Sequence, residues 1–236
     1  MAVKVIALGS IGTVIESSDM QRRAYNKAIA EAGFDWDWHP ELYSELLEVP
    51  GGKRRVRDYA AEVGNEITEE QVEAIHSGKS RIYQEMLREE GIALRDGIAE
   101  VIQKAQENGI QLVWTAGTSL ENLQAIVDAT DDIFTFDTFV YYTHHGLLTN
   151  RKPHPETYHM VMEKLNLKPD EILAIEDTES SLLSPVNAGV RVVATPGALT
   201  SDQDFSQATE VARDGEIADL DWLKSLMEEP APAPIA

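Results

Sequence analysis

Three short apolar runs, each about one strand long and each bordered by helical spacing, limit this chain more than any other feature. They are VKVIAL (residues 3–8), IQLVWT (110–115) and EILAIED (171–177). Apolar runs of this length fit strands buried on both faces, and strands alternating with helices fit an α/β fold with a doubly wound parallel sheet. A fourth run, VRVVAT (190–195), fits a further strand. The helix predicted over 98–107 carries Ile98, Val101, Ile102 and Ala105 on one face and stops at Gly109, a fitting C-terminal cap. The next helix starts at Thr118 or Ser119, with Glu121 placed to complete a capping box.

Residues 16–90 break this alternation. They hold no convincing strand, are rich in Arg and Glu, and show helical spacing over 20–32, 40–48, 53–62 and 68–90. A helical segment inserted after the first strand is expected to cap the carboxyl ends of the strands, where open α/β sheets bind ligands. The expected organisation is a core of residues 1–15 and 90–228, a helical cap over 16–89, and a loose proline-rich tail over 229–236.

Composition excludes several functions. With 41 acidic against 20 basic side chains the chain carries a net charge of −21, which disfavours nucleic acid and anionic membrane as partners. There is no cysteine, hence no disulfide, zinc–thiolate site or thiol nucleophile. No apolar run approaches the ~20 residues of a membrane span, and the opening residues lack a secretory pattern. The expectation is a soluble cytoplasmic protein.

The strand ends carry the chemistry: GSIGT (9–13), TAGTS (115–119), RKPHPETY (151–158) and IEDTESS (175–181). Together they resemble the four motifs of the haloacid dehalogenase superfamily, in its helical-cap phosphatase and phosphomutase branch. Residues 22–60, with Asp35-Trp36-Asp37-Trp38 and Gly51-Gly52-Lys53, are similar to the cap of the CbbY-type sugar-bisphosphate phosphatases, where such segments face the substrate. The resemblance runs from residue 3 to about residue 225.

The first motif of that superfamily is Asp-x-Asp-Gly-Thr, its first Asp the nucleophile and its second the general acid and base. Aligning Gly12-Thr13 puts Gly9 and Ile11 at those positions, so the resemblance implies no catalytic residue there. Ser10 is no substitute, because strand alternation turns it from the face shared by 9 and 11. The resemblance further implies that Thr115 and the Ala116 amide hold a phosphate oxygen and that Lys152 balances the phosphate. Glu16, Arg22, Gly52 and Lys53 match substrate-binding positions, and Glu176 with Asp177 match the Mg²⁺-binding acids. Taken singly, Thr115 also reads as a helix-capping threonine, Lys152 as a surface lysine and the two acids as a solvated pair. Without a carboxylate at 9 the expected cofactor is Mg²⁺ held weakly or not at all. Gln21, Asp96 and Ser181 depart from the usual His, Pro and Gly.

Three functions stay open. The first is an inactive phosphatase homologue that still holds a phosphorylated sugar. The second is a working hydrolase or mutase with a relocated carboxylate, Glu16 or Asp19 being nearest in sequence. The third is a protein that binds an unidentified protein partner and keeps a relic pocket.

Overall fold

The computed structural model describes residues 3–226 except Ser10, Asp131 and Asp214. The expectations for Ser10 and for the tail therefore lie outside the described residues.

Strand β1 (Val5–Leu8) is wholly buried and pairs in parallel on both sides, with β2 (Gln111–Thr115) and β4 (Ile172–Glu176). Strands β3 (Tyr141–Thr143), β5 (Arg191–Ala194) and β6 (Glu210–Val211) extend the sheet in the order β3-β2-β1-β4-β5-β6, parallel throughout. The four apolar runs became β1, β2, β4 and β5. The edge strands β3 and β6 escaped the sequence because each has three residues or fewer and neither is a continuous apolar run.

Alternation along the strands divides the core in two. Ile6, Leu8, Leu112, Trp114, Leu173 and Ile175 join one apolar cluster, while Val5, Ala7, Val113, Ile172 and Ala174 join another. The register sets Ala7 beside both Val113 and Ala174. Two residues on, positions 9, 115 and 176 fall in one row on one face at the strands' carboxyl ends.

Helices cover both faces: α1 (Ile11–Val14), α6 (Ile98–Glu107), α7 (Leu120–Ala129), α8 (Glu156–Leu165), α9 (Glu179–Asn187) and α10 (Leu220–Ser225). Helix α6 buries Ile98, Val101, Ile102 and Ala105 and is followed by Gly109 at φ +68°. Helix α7 starts one residue from the expected capping box. Ser119 is its N-cap and accepts from the Asn122 amide, 3.3 Å, because Thr118 is occupied with the Asn122 side chain and, through its carbonyl, with the His145 amide.

Between α1 and α6 run four helices, α2 (Ser18–Glu31), α3 (Pro40–Leu47), α4 (Gly52–Glu62) and α5 (Glu69–Glu90), with no strand among the described residues. Tyr25, Trp38 and Tyr43 pack ring on ring at their centre, Tyr25 to Trp38 at 4.8 Å. Asn26 holds the Trp38 backbone from both sides, accepting from its amide and donating to its carbonyl. Helix α5 begins with a Thr68–Gln71 capping box and buries Val72, Ile75, Ile82 and Tyr83. Lys79 lies in the same stripe, 6% exposed. Its ammonium donates to Gln21 Oε1 at 2.7 Å and stands over the rings of Tyr25 and Tyr83.

Burial, with Arg55 nearby, pushes the Lys79 amine down to about 7. Between that value and the ordinary lysine value the unfolded chain binds a proton that the folded chain does not, so stability rises with pH across this window. The gain of wild type over Lys79→Met in urea unfolding is therefore expected to grow from pH 7 to pH 10. A difference between the two that stays flat over that range would show that Lys79 keeps its proton in the fold.

Candidate functional site

Strand geometry brings Thr115, Glu176 and the bare Cα of Gly9 together, and α8 with the loop before it adds Tyr158 and Lys152. Glu176 is fully buried. Its Oε1 accepts from Lys152 Nζ at 2.5 Å and from Tyr158 Oη at 2.6 Å, and Thr115 Oγ1 stands 3.3 Å from it. Lys152 also donates to the Thr115 carbonyl at 3.0 Å, and Thr115 donates to the Leu8 carbonyl at 3.0 Å. The other carboxylate oxygen, Oε2, is buried without a hydrogen-bond partner and is turned onto Gly9. A Cβ at position 9 would run into that oxygen and into Thr13 Oγ1, and would stand 2.9 Å from Glu176 Cδ. The glutamate fills the room a side chain at 9 would need.

Asp177 is treated in the same way. Its Oδ1 accepts from Thr13 Oγ1 at 3.1 Å, its carbonyl accepts from Thr200 Oγ1 at 3.0 Å, and its Oδ2 lies against Gly12, where a Cβ would collide with it. Arg95 ties the loop down by donating to the carbonyls of Gly12, Thr195 and Pro196. Burial pushes both carboxyls up; Lys152 and Tyr158 oppose the rise at Glu176, and Lys152, Thr13 and Arg95 oppose it at Asp177. Burial beside the Glu176 charge carries the Tyr158 phenol well above its ordinary value.

Mg²⁺ needs near-octahedral oxygen donors at ~2.0–2.1 Å, commonly one or two carboxylates with waters and phosphate oxygens. Here one oxygen of Glu176 is held by an ammonium and a phenol, and the other is sealed against Gly9. Among the described residues no three His, Cys, Asp or Glu side chains gather to hold a metal. This donor set does not fit Mg²⁺.

The remaining predicted residues divide. Ala116 is buried at the end of β2, its carbonyl accepting from Thr143 Oγ1 at 3.0 Å. Ile11 opens α1 and packs against the larger apolar cluster. Glu16 accepts from the Ser18 amide at 2.9 Å and presses its other oxygen on Gly197. Arg22 donates to Asp19 and, at 2.9 Å, to the Trp38 carbonyl. Gly52 begins α4, where a Cβ would meet the His76 ring at 2.7 Å, and Lys53 pairs with Glu73. Trp36 and Trp38 are buried in the packing of the helical insert.

Tyr158, Lys79, Arg55 and Arg95 were missed at these places. Tyr158 looks like core in the sequence because it shares a helical stripe with Val161. Lys79 was detectable as a lone cation on the otherwise apolar stripe of α5, and Arg55 as a buried cation beside Val56 on α4.

A family model described as haloacid dehalogenase-like hydrolase matches residues 3–189. Protein CbbY of Rhodobacter capsulatus is 32% identical over 208 residues, covering 88% of this chain and 92% of that protein. The crystal structure of a mutant CbbY from Rhodobacter sphaeroides in complex with xylulose-(1,5)bisphosphate superposes with a TM-score of 0.84 at 30% identity, over 92% of this chain and 96% of the other. A β-phosphoglucomutase from Clostridium difficile shares the fold, with a TM-score of 0.77 at 16% identity over 96% and 97% of the two chains. With its six-stranded parallel sheet and its helical insert, this chain belongs to the haloacid dehalogenase-like hydrolase family, among the relatives of CbbY.

Proposed function

We propose that this protein is a CbbY-like phosphatase homologue that holds a phosphorylated sugar and does not hydrolyse it. One observation carries the reading: the room for a side chain at position 9 is taken by Glu176, whose carboxylate is already bound to Lys152. A covalent nucleophile would have to stand there, and removing one elsewhere costs on the order of a millionfold in turnover. In this reading residues 16–89 form a cap over a core of 1–15 and 90–228, and the ligand lies between them. The crystallised CbbY relative holds a sugar bisphosphate, which supports a phosphorylated sugar as the ligand class in this reading. No Mg²⁺ is required, since Lys152 answers the charge of Glu176 directly.

A relocated carboxylate has less in its favour. Asp19 is engaged with Arg22 and Arg23 on the surface of α2, and Glu16 is fixed by the Ser18 amide. Neither belongs to the row of positions 9, 115 and 176. The test is phosphate release from xylulose 1,5-bisphosphate and other sugar phosphates with Mg²⁺ supplied. Wild type is expected to stay at the background of Lys152→Ala. Turnover of ordinary size, roughly 1–10³ per second, that vanished in Lys152→Ala or Glu176→Gln would overturn the reading. Absence of binding by any phosphorylated sugar would leave the partner-binding protein with a relic pocket.

The same arrangement sets the cost of restoring a side chain at residue 9. Gly9→Asp is expected to destabilise the fold by about 1–3 kcal/mol, the usual range for overfilling a packed site. Glu176→Ala, which strands a buried Lys152, is expected to cost about 3–5 kcal/mol. The double variant regains a counter-ion for Lys152 and is expected to be more stable than Glu176→Ala alone. Additive losses in a urea-unfolding cycle would mean that the two positions do not share one space.

A further inference from the structure

On one side the sheet ends at β6, which pairs with β5 alone, and its outer side carries no strand among the described residues. Native sheets shorten, charge or cover such an edge, because its free backbone groups accept a further strand. A cavity of about 520 Å³ opens beside this one. Glu210 and Val211 of β6 line it, with Arg213, Glu216, and Asp219 and Trp222 at the start of α10. Two of the six are apolar. Val211 is 46% exposed. Trp222 rests partly on the larger apolar cluster and has no aromatic or cationic neighbour among the described residues. The other three tryptophans are buried.

The rest of the lining is charged. Each carboxylate uses one oxygen to hold backbone: Glu210 accepts from the Val211 amide at 3.2 Å and Glu216 from the Arg213 amide at 2.8 Å. Asp219 accepts from the amides of Asp221 and Trp222, at 3.1 and 3.0 Å. The second oxygen of each has no partner among the described residues, and Arg213, the one cation of the six, pairs with none of them. Unpaired acids are ordinary in a chain with 41 acidic against 20 basic side chains, and acids at an edge also discourage random strand addition. What is particular here is the combination. An open strand edge, an accessible indole and an exposed valine stand together with three carboxylates against one guanidinium.

We propose that this groove docks an extended basic segment of another protein, laid along the outer edge of β6 with a Lys or Arg side chain seated in the cavity against Trp222. Backbone pairing supplies affinity in strand addition, and pockets for alternate side chains supply specificity. A cation on an indole face is favourable, and the carboxylates at the rim add to the attraction. A second copy of this chain fits poorly: each carries −21, and in a symmetric pair the acidic rims face each other. A small free cation has no backbone to pair with β6 and leaves the edge unused. The inference is independent of the sugar-phosphate reading, since none of the six lining residues belongs to the strand-end site.

Fluorescence polarisation with the full chain tests it, using a labelled peptide of alternating Val and Lys as the probe. Wild type is expected to bind this peptide saturably and to leave a peptide of alternating Val and Glu unbound. Glu216→Gln with Asp219→Asn removes charge but keeps the carbonyl oxygens that accept from the backbone. That double variant is expected to weaken binding by about fivefold or more, and Arg213→Ala to tighten it by about two- to fivefold. Trp222→Leu, which keeps bulk against the core, is expected to weaken it by about threefold or more. Absence of saturable binding of the Val-Lys peptide to wild type overturns the inference, and needs no variant to fold. So does equal affinity for the same peptide N-methylated at alternate residues, which cannot pair with an edge. Displacement of the peptide by an equal concentration of spermidine would mean that the cavity takes a free cation instead. A wild-type dimer in sedimentation that Val211→Lys dissolves would put a second copy on the edge, and either result also overturns it.

Discussion

The ion pair between Lys152 and Glu176 holds the strand-end site in its present form. It joins the loop before α8 to the end of β4, and through the Thr115 carbonyl it reaches the end of β2 as well. Burial makes it demanding. A carboxylate with no exposure stays ionised only while its charge is answered nearby, and loss of either partner leaves the other stranded. Tyr158 is placed by the same need, supplying a donor to Oε1. The site is closed from within by its own side chains.

That closure depends on glycine at position 9 in a steric sense rather than through backbone freedom. Position 9 continues the ladder, its amide donating to the Ile175 carbonyl at 2.8 Å, so any residue could take up its backbone path. What glycine provides is absence of a Cβ in the row shared with Thr115 and Glu176. Gly12 does the same for Asp177. Each glycine gives room to one acid, and the two acids of the fourth motif lean into the first.

Most of the fold was legible in the sequence because buried parallel strands leave continuous apolar runs and covering helices leave a stripe at every third or fourth position. Val5–Leu8 and Ile98–Ala105 are clear instances. Strands β3 and β6 are too short to leave a run, and the start of α7 turned on which of two adjacent hydroxyls found another partner. At the site, the residue types at 9, 11, 115, 152, 176 and 177 were readable from motif spacing. Their pairing was not. The room that lets Glu176 turn inward to Lys152 comes from position 9, just past β1 and far from residue 152 along the chain. No local pattern around Lys152 encodes that contact.

Charge arithmetic links the missing first-motif acids to the poor fit for a metal. Around the strand ends stand Glu176 and Asp177, with Glu16 near enough for Asp177 to feel it, against Lys152 and Arg95. Three negative charges against two positive leave one in excess. Burial holds both Glu176 and Asp177 above their ordinary values, so a single proton on that pair can cover the difference. Two aspartates at 9 and 11 would raise the excess to three, more than one proton can meet, and a divalent cation is the economical answer to such a cluster. In the proposed reading, Gly9 and Ile11 in place of acids would remove the reactive groups and the electrostatic demand for the metal in one step. What remains is stable only if Glu176 turns inward to the lysine, which is the arrangement the strands and the glycine at 9 permit.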